Sequence, residues 1–416
     1  MDIEAFLNGM FRVGALEVGL PGGRRLVVGD GTEPKVVVSV ADNITLARII
    51  ARPSLGVGEA YMNGKLVLER GNIHDLVDLA TRNTGVRPLG PRPSSARRWW
   101  SRMMREHNER QSARRNVHHH YDLSVELYRA FLDTDMQYSC AYFEHPDMTL
   151  EEAQEAKKRH LAAKLSLAEG QRVLDIGCGW GGMALSLAAW TGVVVDGVTL
   201  STEQLATAQA RAKALNLDHQ ARFTLTDYRD VAGPYERIVS VGMFEHVGRP
   251  NYQAFFDQIA RLLTDDGVAV IHSIGRAEGP STTDPFTAKY IFPGGYIPAI
   301  SEVLPAIERA GLRVTDVEIL RYHYADTLKC WLDRFWARRE DIAKLYDERF
   351  CRMWEYYLAG AEVGFRHGGH MNFQLQLTKR FDVLPMTRGY IEQAERALAD
   401  SAGHFGADAH RQASRS

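Results

Sequence analysis

The chain has 416 residues, of which 45% are hydrophobic and 25% are charged, a composition typical of a globular protein with room for two or three domains. Its formal net charge of −2 gives no general attraction for nucleic acid. The four cysteines are scattered with no CxxC pair, so we expect free thiols and no metal site. We find no signal peptide and no run of eighteen apolar residues, which predicts a cytoplasmic protein without a transmembrane helix.

Residues 1–85 are predicted to form a small mixed α+β accessory domain. The runs RRLVVGDG and PKVVVSV have the composition of short strands, and ITLARIIARPSLGVGEAYMNG has the pattern of a helix that ends in a turn. Residues 86–115 are predicted to be a linker, because they begin with many Pro, Gly and Ser residues. From Arg92 to Arg115 this linker is strongly basic, with eight arginines around Trp99 and Trp100.

Residues 116–395 are predicted to form one α/β domain. Apolar, strand-like runs such as RVLDIG, VVVDGVTL and RIVSVGMF alternate with amphipathic helical segments. This alternation predicts a parallel sheet with helices on both faces, as in Rossmann-like folds. Residues 396–416 are small and polar, and we expect them to be disordered.

The segment VLDIGCGWGG at 173–182 is the most specific local motif. A predicted strand ends at Asp175, and Gly177, Gly179 and Gly181 then lead into a predicted helix. Glycines let the backbone approach a ligand closely, and a helix N-terminus favours an anionic group. The D-x-G-x-G-x-G spacing suits the methionyl end of S-adenosylmethionine (SAM), although a purely structural turn is the alternative.

Two later segments are predicted to contact the same cofactor. GVTLSTEQ at 197–204 lies where the next strand meets its helix, the usual place for groups that contact a ribose. Its candidate residues are Thr199, Leu200 and Gln204. In DYRD at 227–230, Asp227 is placed to accept from an adenine amino group and Tyr228 to cover the ring, with a solvated turn as the alternative.

Ten segments occur in order along the chain: HHHYDLSVELYRAFLD, YSCAYF, TLEEAQEAK, VLDIGCGWGG, GVTLSTEQ, MFEHVG, KYIFPGGYIP, HYADTLKCW, RMWEYYL and GFRHGGHMNFQLQLTKR. Together they resemble the cyclopropane-fatty-acyl-phospholipid synthase family, whose relatives include the mycolic acid cyclopropane synthases. The resemblance spans roughly residues 116–380, and GVGEAYMNG resembles the accessory domain of the family. It implies a class I SAM-dependent methyltransferase domain that adds a methylene group across a cis double bond of unsaturated phospholipid acyl chains.

The resemblance also implies a bicarbonate ion that acts as the base. The residues implied to surround it are Cys140, Glu245, His272, Ile274 and Tyr324. Methyl transfer to an alkene creates a carbocation, and closing a ring requires loss of one proton from the new methyl group. A carboxylate cannot donate to an anion, so Glu245 must be protonated or accept from the O–H of bicarbonate.

Three further cofactor contacts are implied by the same resemblance: Tyr121, Tyr138 and Ser139. The histidines at 118–120 do not form a metal site in this interpretation, because adjacent residues on one element do not converge on one ion. The aromatic residues Trp331, Phe335 and Trp336, with the KYIFPGGYIP segment, are expected to line a long apolar acyl pocket.

The implied substrate lies in a bilayer, so we expect the protein to associate peripherally with the inner face of the membrane. The basic linker is the candidate contact, because each arginine near an anionic surface contributes about 1 kcal/mol and tryptophans favour the interface. A solvated linker is the alternative. The resemblance also suggests a homodimer. Three functions stay open at this point: a methylene- or methyl-branched product, an inactive lipid-binding protein, and a small-molecule methyltransferase.

Overall fold

The computed structural model describes residues 3–84 and 123–399. Tyr121, the histidines at 118–120, the predicted linker and residues 400–416 therefore lie outside the described part of the chain. Within the described part, every helix is too short or too polar to cross a membrane.

The N-terminal region is built on a four-stranded mixed sheet. Its strand order is β2-β1-β3-β4, in which β1 runs antiparallel to β2 and parallel to β3, and β3 runs antiparallel to β4. The elements in chain order are α1 (Ile3–Met10), β1 (Ala15–Gly19), β2 (Arg25–Gly29), β3 (Lys35–Val40), α2 (Asn43–Ala51), α3 (Pro53–Met62), β4 (Leu66–Arg70) and α4 (Ile73–Thr84).

The prediction of a single helix from ITLARIIARPSLGVGEAYMNG was wrong, because the structure has two helices there, α2 and α3. Pro53 occupies the first turn of α3, and Arg52 between the helices has the non-helical angles φ −145° and ψ 76°. The residue before a proline is disfavoured in the helical region, so the break follows from the sequence itself.

The larger region contains a seven-stranded sheet. Its elements are α5 (Val125–Phe131), α6 (Leu150–Leu165), β5 (Arg172–Ile176), α7 (Gly182–Thr191), β6 (Val194–Thr199), α8 (Thr202–Ala214), β7 (Ala221–Leu225), β8 (Tyr235–Val241), α9 (Tyr252–Leu262), β9 (Leu263–Arg276), α10 (Pro285–Tyr290), α11 (Ile300–Arg309), β10 (Arg313–Leu320), α12 (His323–Ala337), α13 (Arg339–Leu345), α14 (Glu348–Arg366) and β11 (His370–Thr378). A final helix occupies 389–399, so residues 396–399 of the predicted tail are helical.

The strand order of this sheet is β10-β11-β9-β8-β5-β6-β7. The five strands from β9 to β7 are parallel, whereas β11 runs antiparallel to β9 and β10 antiparallel to β11. The predicted α/β fold class is confirmed. The chain leaves β5 toward β6 on one side and returns to β8 on the other, and such a switch point opens a crevice at the carboxyl ends of the strands.

The two regions meet along helices α3 and α4, which pack against α14, while α3 also packs against α10. Tyr61 donates to a carboxylate oxygen of Glu355 at 2.8 Å, and His74 Nε2 lies 2.7 Å from Glu362 Oε2. Tight packing reinforces these polar contacts, because Gly58 of α3 lies against buried aromatic rings. A Cβ atom at Gly58 would approach Phe286 Cδ2 to 2.4 Å and Tyr356 Cε1 to 2.6 Å.

The substitution Gly58→Ala should therefore destabilise the protein by about 1–3 kcal/mol, the usual cost of overpacking a closed interface. Gly360→Ala is the matched control, because Gly360 also lies within a helix and an added Cβ would meet no atom within 4 Å. Alanine is the better helix former, so this control should gain about 0.5–1 kcal/mol. Denaturant unfolding of both variants measures the difference, and equal stabilities would contradict the packing argument.

Candidate active site

A cavity, here called the sheet-edge cavity, lies at the carboxyl ends of β5, β6 and β8. It brings together ten of the twelve residues predicted to bind a cofactor: Tyr138, Ser139, Asp175, Gly177, Gly179, Thr199, Leu200, Gln204, Asp227 and Tyr228. Tyr121 lies outside the described residues. Gly181 does not line the cavity, because it is the N-cap of α7, with φ +85°, and faces Phe223 and Ala208.

The glycine turn between β5 and α7 is held by its own backbone. The N–H groups of Gly177 and Cys178 both donate to the carbonyl oxygen of Val198, at 3.0 and 3.1 Å. Gly177 has φ +81°, and a Cβ atom there would lie 2.9 Å from the Met243 side chain. Only glycine meets both constraints without strain, and Gly177 and Gly179 bring the backbone to the cavity wall. The N–H groups of Gly177 and Cys178, however, hold the turn and are not directed at a ligand.

Asp175 lies near the carboxyl end of β5 and lines the sheet-edge cavity. Its Oδ2 atom is buried and has no hydrogen-bond partner among the described residues. Burial raises the pKa of this carboxyl to about 7, because desolvation disfavours the charged form. A buried carboxylate in this position suits a cationic group of a ligand.

The end of β6 presents an organised pair of polar side chains. The Thr199 hydroxyl donates to Gln204 Oε1 at 2.9 Å, and the Gln204 N–H bonds the N-cap side chain of Ser201 at 3.3 Å. The only acid of this strand, Asp196, lies mid-strand and binds Arg172 and the Tyr235 hydroxyl, both at 3.1 Å. Thr199 and Gln204 are thus the polar side chains of the 197–204 segment that line the cavity.

The DYRD segment differs in detail from the expectation. Both carboxylate oxygens of Asp227 bind the Arg229 guanidinium, at 2.8 Å to Nε and 2.5 Å to Nη2. Tyr228 lies edge-on to Phe255, with ring centroids 5.3 Å apart, and the Arg229 guanidinium lies 5.7 Å from its centroid. Asp227 is therefore one half of an ion pair at the cavity wall, and a ligand amino group would share its carboxylate with Arg229.

Three residues predicted for the reaction site lie on β9 or are hydrogen-bonded to it, and we call them the buried polar group: Glu245, His272 and the backbone of Ile274. The Ile274 N–H donates to Glu245 Oε1 at 2.6 Å. Gln374 Nε2 lies 3.2 Å from His272 Nδ1, and an amide nitrogen only donates, so the ring proton lies on Nε2. The backbone carbonyl of His272 accepts from Gly242, a cavity-lining residue, at 2.9 Å.

Burial shifts the pKa values of Glu245 and His272. It raises the pKa of Glu245 to about 7 and lowers the pKa of His272 well below its ordinary value. Glu245 Oε2 and His272 Nε2 are both buried without a hydrogen-bond partner in the described part of the chain. Such orphaned polar atoms are rare in folded proteins and call for a ligand or an ordered water.

Cys140 and Tyr324 lie in the hydrophobic cluster against which Ile274 packs. Cys140 is fully buried, and its Sγ lies 3.3 Å from the Ala141 carbonyl oxygen. Tyr324 lies edge-on to Trp331 at 5.8 Å, and Trp331 stacks on Tyr138 at 5.1 Å. The structure therefore connects Cys140 and Tyr324 to the buried polar group through packing. Glu245 is hydrogen-bonded to Ile274, and His272 lies two residues from Ile274 on the same strand.

The expectation for an acyl pocket is met only in part. Pro293 and Gly294 of the KYIFPGGYIP segment line the sheet-edge cavity. Trp331 and Phe335 have no exposed surface and belong to the hydrophobic cluster, and Trp336 packs against the same cluster. Trp331 and Phe335 do not line the sheet-edge cavity, because their rings lie in the core.

Sequence analysis missed two residues that support the site, Lys157 and Gln374. Lys157 is fully buried and donates to Gln137 Oε1 at 2.5 Å and to the Ser139 hydroxyl at 2.9 Å. Gln374 fixes the tautomer of His272 from the neighbouring strand. A polar residue within an apolar strand pattern was the available signal for Gln374. The helical pattern around Lys157 gave no comparable signal.

Comparison with known proteins places these features in a family. Residues 108–375 match the family model described as mycolic acid cyclopropane synthetase, and residues 3–86 match a domain of unknown function (DUF7884). The cyclopropane-fatty-acyl-phospholipid synthase of Escherichia coli K12 is 38% identical over 321 residues, covering 77% of this chain and 81% of that protein. The tuberculostearic acid methyltransferase UfaA1 of Mycobacterium tuberculosis is 38% identical over 377 residues, covering 83% and 85%.

The fold agrees with a solved structure from the same group. The mycolic acid cyclopropane synthase CmaA1, complexed with S-adenosylhomocysteine (SAH) and CTAB, matches with a TM-score of 0.60 and 36% identity over 64% of this chain and 97% of that one. The chain therefore belongs to the mycolic acid cyclopropane synthetase family and is a SAM-dependent enzyme with the class I methyltransferase fold.

Proposed function

We propose that the enzyme transfers a methylene group from SAM to the cis double bond of unsaturated phospholipid acyl chains and forms a cyclopropane ring. One-carbon transfer to lipid acyl chains is supported by the relatives, which are named for cyclopropane synthesis and for fatty acid methylation. The observation that carries the finer proposal is the buried polar group beside the sheet-edge cavity, with its two unpartnered atoms.

The sheet-edge cavity is the proposed SAM site. The CmaA1 structure was solved with SAH, the product that SAM leaves after transfer. In this chain Asp175 offers a carboxylate to the amino group of the methionyl end, and Thr199 with Gln204 offers polar groups to the ribose. Tyr138 and Ser139 complete the wall on the side of the cavity that leads to Cys140.

The buried polar group fits a small anion such as bicarbonate. The Nε2–H of His272 supplies an unpaired donor, and Glu245 with a pKa near 7 can hold a proton or accept one from the O–H of the anion. Cys140, Ile274 and Tyr324 are the other residues proposed to surround it. Bicarbonate, when bound, supplies the base for removal of a proton from the transferred methyl group.

The protein's part in this chemistry is to hold the reactants dry and oriented. Attack of the alkene on the sulfonium methyl breaks the S–CH₃ bond, releases SAH and leaves a carbocation on the acyl chain. Loss of one methyl proton then lets the C–H electron pair close the ring. Water would capture the cation as an alcohol, and Tyr138 and Tyr324 offer aromatic faces, each of which stabilises a cation by about 0.5–2 kcal/mol.

The phospholipid substrate makes peripheral membrane association part of the proposal. The basic linker with its tryptophan pair is the proposed contact, on the strength of its sequence, because it lies outside the described residues. Cytoplasmic location and the homodimer stay predictions.

A branched product is the second candidate. UfaA1, which is named as a methyltransferase and not as a cyclopropane synthase, matches this chain at the same 38% identity as the E. coli synthase. A 1,2-hydride shift places the cation on the carbon that bears the new methyl group, and loss of a methyl proton then leaves a methylene branch in place of a ring. The two outcomes share the cofactor, the fold and the first step, so only the product separates them.

The deciding experiment incubates purified protein with methyl-labelled SAM and vesicles of phosphatidylglycerol that carries a cis-monounsaturated chain. The product lipid is then analysed by NMR, because a cyclopropane and a methylene-branched chain have equal mass. High-field ring proton signals are expected, whereas vinylidene proton signals would replace the proposal with the branched product.

Glu245→Gln and His272→Ala should lower turnover by about 10²–10⁴-fold, because each removes a group proposed to support proton abstraction. SAM affinity should change less than about twofold, since neither side chain lines the sheet-edge cavity. The control is Glu308→Gln on the exposed face of α11, which should leave turnover unchanged. Turnover near the wild-type value in both site variants would remove these residues from the mechanism.

The affinity for SAH should rise with pH between 6 and 8. Below about pH 7 the buried Asp175 carboxyl is protonated in the free enzyme, so a bound ammonium group must displace that proton. Affinity should therefore fall by up to about tenfold per pH unit below 7. Asp175→Asn should abolish this dependence, and Asp257→Asn on the exposed face of α9 should retain it. Calorimetry in buffers of different ionisation enthalpy measures both affinity and proton release, and an unchanged slope in Asp175→Asn would refute the assignment.

A further inference from the structure

The segment from Asp133 to Ser139 forms one wall of the sheet-edge cavity in a strained conformation. Met136, Gln137, Tyr138 and Ser139 all line the cavity. Met136 has φ +59°, a left-handed conformation that is unfavourable for a non-glycine residue. The Asp133 carboxylate accepts from the backbone N–H groups at 135 and 137, at 3.0 and 2.8 Å. Strain of this kind persists only where the surroundings impose it.

Helix α6 supplies two side chains that hold this wall. Gln154 Nε2 donates to the carbonyl oxygens of Ser139, at 2.9 Å, and Gln137, at 3.3 Å. Lys157 Nζ donates to the side chains of the same two residues, at 2.9 and 2.5 Å. Residues three apart lie on one face of a helix, so Gln154 and Lys157 contact the wall together. Gln154 binds the backbone of the wall, and Lys157 binds its side chains.

Lys157 differs from the other buried lysines of α6. Lys158 pairs with Asp135 and Glu155, and Lys164 pairs with Glu318 and Asp316. In the described residues no carboxylate lies within 4.0 Å of Lys157 Nζ, although the side chain is fully buried. Burial of an ammonium group without a direct ion-pair partner is unfavourable. Desolvation lowers the pKa of Lys157 to about 8, although the charges of Asp133 and Asp135 act against this shift. Such an arrangement points to a role other than stability.

We propose that Lys157 is a positioning residue for the cofactor: its two hydrogen bonds fix Gln137 and Ser139 as the wall against which SAM binds. The proposal rests on the sheet-edge cavity being the SAM site. It does not depend on which lipid product forms. Lys157 acts on the cofactor through the wall, so replacing the lysine should lower the affinity for SAM and SAH.

The first test is the affinity of the full-length enzyme for SAH, measured by calorimetry, in Lys157→Met. We expect affinity at least tenfold weaker than wild type. Lys164→Met is the matched control, because Lys164 is equally buried on the same helix but binds Glu318 and Asp316. The control should lose stability yet bind SAH within twofold of wild type. Equal weakening in both variants would overturn the proposal and indicate general destabilisation.

A double-mutant cycle separates positioning from packing. Ser139→Ala should weaken SAH binding on its own, and it should have little further effect once Lys157 is methionine, because both changes remove one interaction. Additive losses in affinity would overturn the proposal. Should Lys157→Met not fold, Lys157→Gln is measured in the same cycle, with at least a fivefold loss expected. SAH binds without lipid, so failure of the cyclopropane assignment would leave this readout intact.

Discussion

Burial of groups that water would otherwise solvate is the constraint on which this site depends. Glu245, His272, Asp175 and Lys157 are all buried, and burial shifts the pKa of each toward its neutral form. His272 therefore stays neutral and keeps a single N–H donor. Glu245 has a pKa of about 7, so it can gain or lose a proton near neutral pH. Charges interact more strongly where water is absent, so the proposed carbocation would meet only the groups that the fold supplies.

The antiparallel strand β11 pairs with β9 and places further buried side chains next to His272. Its residues alternate, so that Met371, Phe373, Leu375 and Leu377 fall on one face, and Asn372, Gln374 and Gln376 on the other, all buried. Register with β9 sets Gln374 opposite His272 and Asn372 opposite Ile274. A strand that buries a polar face must satisfy those groups. Gln374 Nε2 binds His272 Nδ1 at 3.2 Å, and Gln376 Nε2 binds the Lys164 carbonyl oxygen at 2.6 Å. Gln374 Oε1 and Asn372 Oδ1, in contrast, have no hydrogen-bond partner among the described residues.

The sequence predicted those parts of the site that depend on local spacing. The glycine motif located the turn after β5, because positive φ angles at Gly177 and Gly181 require glycine wherever the turn occurs. It could not tell that Gly181 faces Phe223, since that depends on how α7 packs. Likewise, the position of DYRD after a predicted strand identified Asp227 as a candidate polar residue. Its ion pair with Arg229 depends on side-chain geometry, which the sequence does not show. Lys157 was missed for a related reason: a helical pattern marks a buried face but does not show which side chains bind across it.

The N-terminal region contacts a helix that lies next to the sheet-edge cavity in the chain. Helix α10 has six residues, too few to be stable alone, so its position depends on what it packs against. Glu59 of α3 binds Lys289 Nζ at 2.6 Å and the Tyr290 hydroxyl at 2.8 Å, both near the C-terminal end of α10. Pro293 and Gly294, three and four residues beyond Tyr290, line the sheet-edge cavity. The N-terminal region thus holds α10 in place through Glu59. The position of Pro293 and Gly294 in the cavity therefore depends on these contacts as well as on the parallel sheet.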